Sequence, residues 1–138
     1  MRIFLDANIL FSAAYSDAAI RRLIKDLEAA SCSLVADRYV FEEALRNLTI
    51  QRSEAVPHLH KLMGLLTIVP THISSNAIPP DVHLPDKDIP VLASAIEAGC
   101  DILMTGDSRH FGPLFGRSIG GLSIHSPVDT ARVVLGHP

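Results

Sequence analysis

Two acidic residues directly follow short apolar segments of the sequence. Asp6 comes after the apolar residues 2–5, and Asp107 comes after residues 102–105 and a single glycine. Both segments are typical of buried strands. In an open parallel sheet, ligands gather beyond the carboxyl ends of the strands. Asp6 and Asp107 are therefore candidates for a ligand-binding site, although turn chemistry alone could also explain Asp107.

Two further acidic segments could reach the same edge of such a sheet. Asp88 lies at the amino end of a helix that leads into the strand at 102–105, and Glu42 and Glu43 lie about one turn into another helix. Asp88 could be only a helix cap, and Glu43 could lie on a solvated helix face. Adjacent helical residues differ by about 100° in direction, so only one of the two glutamates can face the strand ends.

A cluster of carboxylates indicates a bound cation. Like charges packed together repel and raise one another's pKa, and a divalent ion removes that repulsion. Mg²⁺ and Mn²⁺ prefer oxygen ligands, whereas the sequence has no paired His or Cys spacing typical of zinc. The partial positive charge at the start of its helix would keep Asp88 ionised and ready to coordinate this cation.

The elements that position these acids alternate along the chain. We predict strands at 2–5, 33–36, 67–69, 102–105 and 122–124, and helices that begin at Asp17, Asp37, Pro57, Asp88 and Asp129. The proline-rich residues 70–87 are expected to form a long ordered loop. Alternating strands and helices favour a three-layer α/β/α sandwich with a central, mainly parallel five-stranded sheet. We expect one domain over residues 1–138.

Composition limits the class of protein. The 138 residues are 48% hydrophobic and carry a formal net charge of -3, which excludes a disordered chain and a uniformly basic nucleic-acid coat. Cys32 and Cys100 form neither a disulfide framework nor a metal knuckle, so a reducing compartment is expected. The first apolar run is interrupted by Asp6 and Asn8, and is too polar for a membrane helix. We expect a cytoplasmic protein.

Four motifs, taken in sequence order, resemble PIN domains, the metal-dependent ribonucleases that include VapC-like toxins. They are FLDANIL at 4–10, FEEALR at 41–46, KDIPVLA at 87–93 and LMTGD at 103–107. The resemblance implies a ribonuclease that binds one or two Mg²⁺ or Mn²⁺ ions through an acidic quartet. By motif position the quartet is Asp6, Glu43, Asp88 and Asp107.

The resemblance also implies supporting residues and partners. It assigns polar supporting positions to Asn8 and Thr105, while Asp86 is the alternative to Asp88 and Glu42 the alternative to Glu43. It further implies a homodimer and, for the toxin branch, an antitoxin protein. The apolar first helix, with Ile9, Leu10, Phe11 and Tyr15, gives some support for a protein partner. Candidate RNA phosphate contacts that flank the motifs are Arg46, Arg52, Lys87 and Arg109.

Other functions fit parts of the pattern. A haloacid-dehalogenase-like phosphatase would need a second acid two positions after Asp6, where the sequence has Asn8. A receiver domain would need a lysine after the last strand, where His125 is found instead. A non-catalytic PIN-like scaffold that binds RNA or a protein partner remains an alternative to the ribonuclease.

Overall fold

A computed structural model describes residues 1–136 of the chain, so the last two residues of the predicted domain, 137 and 138, lie outside the described residues. The strands are β1 (Arg2–Leu5), β2 (Ser33–Asp37), β3 (Thr67–Val69), β4 (Ile102–Met104), β5 (Ser118–Ile119) and β6 (Leu122–His125). The helices are α1 (Ala7–Tyr15), α2 (Ala18–Ala29), α3 (Arg38–Gln51), α4 (Val56–Met63), α5 (Ile89–Glu97), α6 (Ser108–Phe111) and α7 (Pro127–Thr130). They form the expected α/β sandwich.

The sheet has the strand order β3-β2-β1-β4-β6-β5. Neighbours from β3 to β6 are parallel, and only the edge strand β5 runs antiparallel, paired with β6. The prediction of a mainly parallel sheet is confirmed, but the sheet has six strands rather than five. The missed strand is two residues long and returns through Gly120 and Gly121, both at positive φ (58° and 83°), a backbone that favours glycine in tight hairpins.

The central strands are buried on both faces. Ile3, Phe4 and Leu5 of β1 are each 0% exposed, and β4 is equally apolar. A parallel strand covered by helices on both sides needs such a continuous apolar run. The same burial forces the first polar residues after each strand to the sheet edge, where Asp6 and Thr105 lie.

Several helix ends differ from the prediction. Helix α4 begins at Val56 rather than Pro57, and the terminal helix begins at Pro127 rather than Asp129 and continues as a π-helical turn over Ala131–Leu135. Ser126 starts α7 earlier than predicted because its hydroxyl accepts a hydrogen bond from the backbone N–H of Asp129.

The first helix exposes less apolar surface than the sequence indicated. Ile9 and Leu10 are 2% and 0% exposed, because they pack into the core, while Tyr15 is 40% exposed. The expectation that Ile9 and Leu10 offer a surface for a partner is therefore wrong. Within the part of the chain that the structure describes, every helix is too short or too polar to cross a membrane.

The long segment between β3 and α5 is tied to the domain along its length. Thr71 donates a hydrogen bond to Asp37 at the end of β2 (2.8 Å), and the Tyr39 hydroxyl donates to the carbonyl of Lys87 (2.6 Å). The Thr71 contact fixes the start of the segment, and the Tyr39 contact fixes its end, where Lys87 and Asp88 lie at the sheet edge next to β1 and β4.

Candidate active site

A cleft of about 280 Å³ opens at the carboxyl ends of the two central strands, β1 and β4. It is bounded by the start of α1, the middle of α3, the residues before α5 and the turn after β4. Four carboxylates and one lysine are among its walls. The lining residues are Asp6, Ala7, Asn8, Phe11, Glu43, Asn47, Gln51, Lys87, Asp88, Gly106 and Asp107.

Asp6 forms the floor of the cleft and is only 4% exposed. One carboxylate oxygen accepts from the backbone N–H of Ala7 (2.7 Å), and the other accepts from the Thr105 hydroxyl (2.8 Å). The pKa of Asp6 is nevertheless raised to about 6, mainly by burial and to a smaller extent by the nearby charges of Glu43 and Asp88. Hydrogen bonding alone does not offset the cost of keeping this carboxylate charged.

Asn8 and Thr105 join the two central strands at the edge of the cleft. The Asn8 side-chain N–H₂ lies 3.2 Å from both Asp6 Oδ2 and Thr105 Oγ1, and its carbonyl oxygen accepts from the N–H of Gly106 (2.7 Å). A side chain at Gly106 would meet that oxygen, since a Cβ there would lie 3.2 Å from it. Asn8 and Thr105 therefore support Asp6 through hydrogen bonds, in line with the supporting positions that the family resemblance implied.

Asp88 precedes α5 but does not cap it. Its backbone is helical, its side chain makes no capping hydrogen bond, and the residue is 9% exposed. Burial raises the pKa of the Asp88 carboxyl, which is the opposite of the expectation that the helix start keeps it ionised. Desolvation outweighs the helix dipole here. Its side chain points toward the cleft, where Oδ2 has no hydrogen-bond partner.

Asp107 does cap the short helix α6. Its Oδ1 accepts from the backbone N–H of His110 (3.0 Å), and its own N–H donates to Thr105 Oγ1 (3.1 Å). The cap leaves the second oxygen, Oδ2, 3.0 Å from the imidazole Nδ1 of His110. The same nitrogen lies 2.9 Å from Asp88 Oδ2, so His110 stands between the two carboxylates.

Helix α3 supplies the remaining wall. Glu43, Asn47 and Gln51 line the cleft at intervals of one helical turn. Glu42 points elsewhere: it is exposed and forms an ion pair with Arg38 (2.8 Å). The structure thus brings Glu43, and not Glu42, toward the strand-end acids.

The other residues that the sequence singled out lie mostly outside the cleft. Asp86 is exposed, and among the described residues the lining includes Lys87 but not Arg46, Arg52 or Arg109. Arg52 is engaged elsewhere, because its guanidinium lies 5.1 Å from the ring centroid of Tyr15 and donates to that residue's carbonyl. Its placement favours a structural role over the predicted phosphate contact.

Sequence reasoning missed three polar residues of the site or gave them little weight. Asn47 and Gln51 could have been found from their helical spacing to Glu43 at i+4 and i+8. His110 had no such signal, because a single histidine in a four-residue helix has no periodic pattern. Tyr39 packs against the core, and its hydroxyl also anchors the backbone next to Asp88.

The donor set fits a divalent cation. Asp88, Asp107 and His110 each offer a ligand atom, and these atoms lie within 4.8 Å of one another. Asp88 Oδ2 and His110 Nδ1 are buried without a hydrogen-bond partner, although they are 2.9 Å apart. Buried polar atoms normally have hydrogen-bond partners. Two such atoms that lack a partner next to a cluster of carboxylates are consistent with coordination of an ion.

The fold and the site together define an α/β protein with an acidic cleft at the carboxyl ends of β1 and β4, the two central strands of the sheet. The sequence profile of the PIN domain matches residues 2–109, and the chain belongs to the PIN-domain family. No curated protein sequence matches the chain. Asn8 stands where a phosphatase of the haloacid-dehalogenase kind needs a second acid. Its amide instead forms hydrogen bonds with Asp6, Thr105 and Gly106.

Solved structures with a similar fold include VapC and VapBC proteins. A VapBC2 structure from Rickettsia felis, bound to a DNA fragment from the promoter, has a TM-score of 0.69 at 15% identity, covering 91% of this chain and 98% of that one. VapC20 from Mycobacterium tuberculosis, described as a Sarcin-Ricin loop cleaving toxin, has a TM-score of 0.58 at 13% identity, covering 85% and 98%. VapBC-1 from nontypeable Haemophilus influenzae has a TM-score of 0.59 at 13% identity, covering 93% and 99%.

Proposed function

We propose that this protein is a metal-dependent ribonuclease whose cation, Mg²⁺ or Mn²⁺, is held by Asp6, Glu43, Asp88 and Asp107. The observation that carries the proposal is the convergence of four carboxylates from four separate elements on one cleft. Burial raises the pKa of Asp6 and of Asp88, so without a cation the folded protein must hold two acids in unfavourable surroundings. A site of this kind is expected where a cation is part of the function.

Different residues of the chain would hold the ion and contact the substrate. A bound divalent ion would supply the charge that activates a water and neutralises the leaving oxygen of a phosphodiester. Asp6, fixed by Thr105 and Ala7, holds one side of the site, and Asp107 holds the other. Lys87, at the rim, can contact a substrate phosphate.

The α3 wall would bind the nucleotides next to the cleaved bond. Asn47 and Gln51 each present an amide that can donate and accept hydrogen bonds, as base edges and ribose hydroxyls require. Phe11 adds an apolar surface to the cleft lining. Single-stranded RNA suits this arrangement because its bases are free to reach such side chains.

RNA, rather than another phosphodiester, is proposed on the family and on one neighbour. The chain belongs to the PIN-domain family, and the VapC20 structure of similar fold is described as a toxin that cleaves the Sarcin-Ricin loop. Two other structures of similar fold are VapBC structures. These similarities support a toxin role with an antitoxin partner. The homodimer that the family resemblance implied is part of the same proposal and has its own test below.

The central test is a cleavage assay on a labelled single-stranded RNA and on a DNA of the same base sequence. We expect cleavage of the RNA that requires Mg²⁺ or Mn²⁺, stops with EDTA and is lost in Asp6→Asn and Asp107→Asn. Titration calorimetry should show weaker metal binding in the double variant. RNA binding without cleavage at any metal concentration would support the non-catalytic scaffold instead.

The toxin role has its own test. Induced expression of the wild-type chain in bacterial cells should arrest growth, and expression of Asp6→Asn to the same level should not. Equal growth of both cultures would count against a toxin while leaving the ribonuclease proposal intact. Light scattering after size-exclusion chromatography tests the homodimer, and a monomer at high concentration would contradict it.

A further inference from the structure

His110 lies between the carboxylates of Asp88 and Asp107, one residue beyond the segment that the family profile matches. It is on α6, whose first turn is fixed by the Asp107 cap, and it is followed by Phe111, which is 0% exposed. The imidazole is directed toward Asp88 and Asp107.

The spacing of the three side chains is that of neighbouring ligands around a metal ion. His110 Nδ1 lies 2.9 Å from Asp88 Oδ2 and 3.0 Å from Asp107 Oδ2. In an octahedral site with bonds of about 2.1 Å, adjacent ligand atoms lie about 3 Å apart. A cation can therefore contact all three atoms after only small side-chain movements.

The contact between His110 and the two carboxylates has ion-pair distances but poor hydrogen-bond geometry. His110 Nδ1 and Asp88 Oδ2 are both buried, and neither has a hydrogen-bond partner of acceptable geometry. Asp88 itself is only 9% exposed, and its unpartnered oxygen is aimed at the imidazole. A histidine retained only to neutralise two acids would be expected to donate its N–H along the line to one of them.

We propose that His110 is a metal ligand, which binds the cation through Nδ1 beside the carboxylates of Asp88 and Asp107. This inference rests on the proposed metal-dependent function and deepens it. The site would then have a mixed nitrogen and oxygen donor set. An imidazole favours transition metals, whereas an all-oxygen site suits Mg²⁺. The protein should accordingly prefer Mn²⁺ to Mg²⁺.

The test measures metal binding by RNA-free protein. We expect the electron spin-echo signal of bound Mn²⁺ to be modulated by a directly coordinated ¹⁴N nucleus. Wild-type protein with ¹⁵N-labelled histidine should show the ¹⁵N pattern instead, and this arm needs no substitution at all. His110→Asn should abolish the nitrogen modulation and weaken Mn²⁺ binding at least about tenfold, with a smaller change for Mg²⁺.

His83→Gln is the matched control, since His83 is exposed on the long loop and should leave both measurements unchanged. Circular dichroism checks that each variant is folded. Bound Mn²⁺ without nitrogen modulation would overturn the role of His110 and leave the proposed ribonuclease standing. Failure of the wild type to bind Mn²⁺ or Mg²⁺ at all would overturn both proposals.

Discussion

Two buried aspartates, Asp6 and Asp37, follow neighbouring parallel strands, yet their surroundings differ. Asp37 ends β2, is 0% exposed, and has a donor on each oxygen: the backbone N–H of Val40 (3.0 Å) and the Thr71 hydroxyl (2.8 Å). Asp6 follows β1 and also has donors, but it faces the carboxylates of Glu43 and Asp88. Both aspartates therefore lie at the end of a strand, and they differ in whether other carboxylates lie nearby.

This comparison distinguishes a carboxylate that is satisfied within the protein from the carboxylates of the candidate site. Asp37 is satisfied within the protein, so it stabilises the start of α3 and needs nothing from solvent. In the cleft, by contrast, Asp88 Oδ2 lies 2.9 Å from the His110 imidazole without a hydrogen bond of acceptable geometry. A strand-end acid is thus informative about function only when its surroundings are known.

The largest expected effect is on catalysis by the cleft acids. Asp88→Asn and Glu43→Gln should each reduce metal-dependent RNA cleavage by about a thousandfold, because each removes a charged ligand and preserves size. The matched variants Asp86→Asn and Glu42→Gln should retain most activity. Steady-state cleavage rates check this, and an equally inactive Asp86→Asn would require the site to be redrawn around the long loop.

The next largest effect is a dependence of the free energy of unfolding on pH, caused by Asp6. Its pKa is about 6 in the folded protein against an ordinary 3.8, so the folded state binds the proton more tightly than the unfolded state. Its stabilising contribution is complete below about pH 4 and is lost as the pH rises through 6, by up to roughly 3 kcal/mol.

Denaturant unfolding of the EDTA-treated protein from pH 4 to pH 7.5 measures this contribution. Asp6→Asn cannot titrate at this position, so its free energy of unfolding should fall less over the same range. If the free energy of unfolding changed equally with pH in both proteins, Asp6 would not be the cause of the pH dependence. Metal affinity of the wild type should also fall as the pH drops below 6, because protons then compete for the carboxylate.

A smaller effect is expected from the structural aspartate. Asp37→Ala should lower the free energy of unfolding by about 2 kcal/mol, because it removes a helix cap and leaves the Val40 N–H without its acceptor. Mn²⁺ affinity should stay within about twofold, since Asp37 contributes nothing to the cleft lining. A large loss of metal affinity in folded Asp37→Ala would break the distinction between the two aspartates.

The smallest effect is expected at the cysteines. Cys100 is 4% exposed, and burial raises the pKa of its thiol to about 11, so it remains protonated and unreactive. Cys32→Ser and Cys100→Ser should each change the cleavage rate less than about twofold per folded molecule. A large loss of activity without unfolding would place a functional group outside the cleft.

Most of the fold followed from local patterns in the sequence. Continuous apolar runs marked the central strands, and cap residues such as Asp17 and Asp37 marked helix starts. The hairpin strand β5 could not be recognised, because two residues carry no periodicity. The π-helical turn at Ala131–Leu135 was equally invisible, since it depends on how the last helix packs.

The candidate site was predictable only in part. The convergence of Asp6, Asp88 and Asp107 follows from strand-end topology, and the choice of Glu43 over Glu42 agrees with helical direction. The position of His110 depends on the Asp107 cap and on burial of Phe111, which are tertiary facts. The raised pKa of Asp88 likewise reflects desolvation, which no local pattern reveals.

The pairing of β1 with β4 has a consequence for synthesis of the chain. These central strands are nearly a hundred residues apart in sequence, and Leu5 pairs with Met104. Contacts so distant form late, because the intervening chain must be ordered first. During translation, Asp6, Glu43 and Asp88 all leave the ribosome before β4 and Asp107 exist to complete the cleft. An enzyme built in this way would be inactive toward the messenger RNA that encodes it until most of its own sequence had been read.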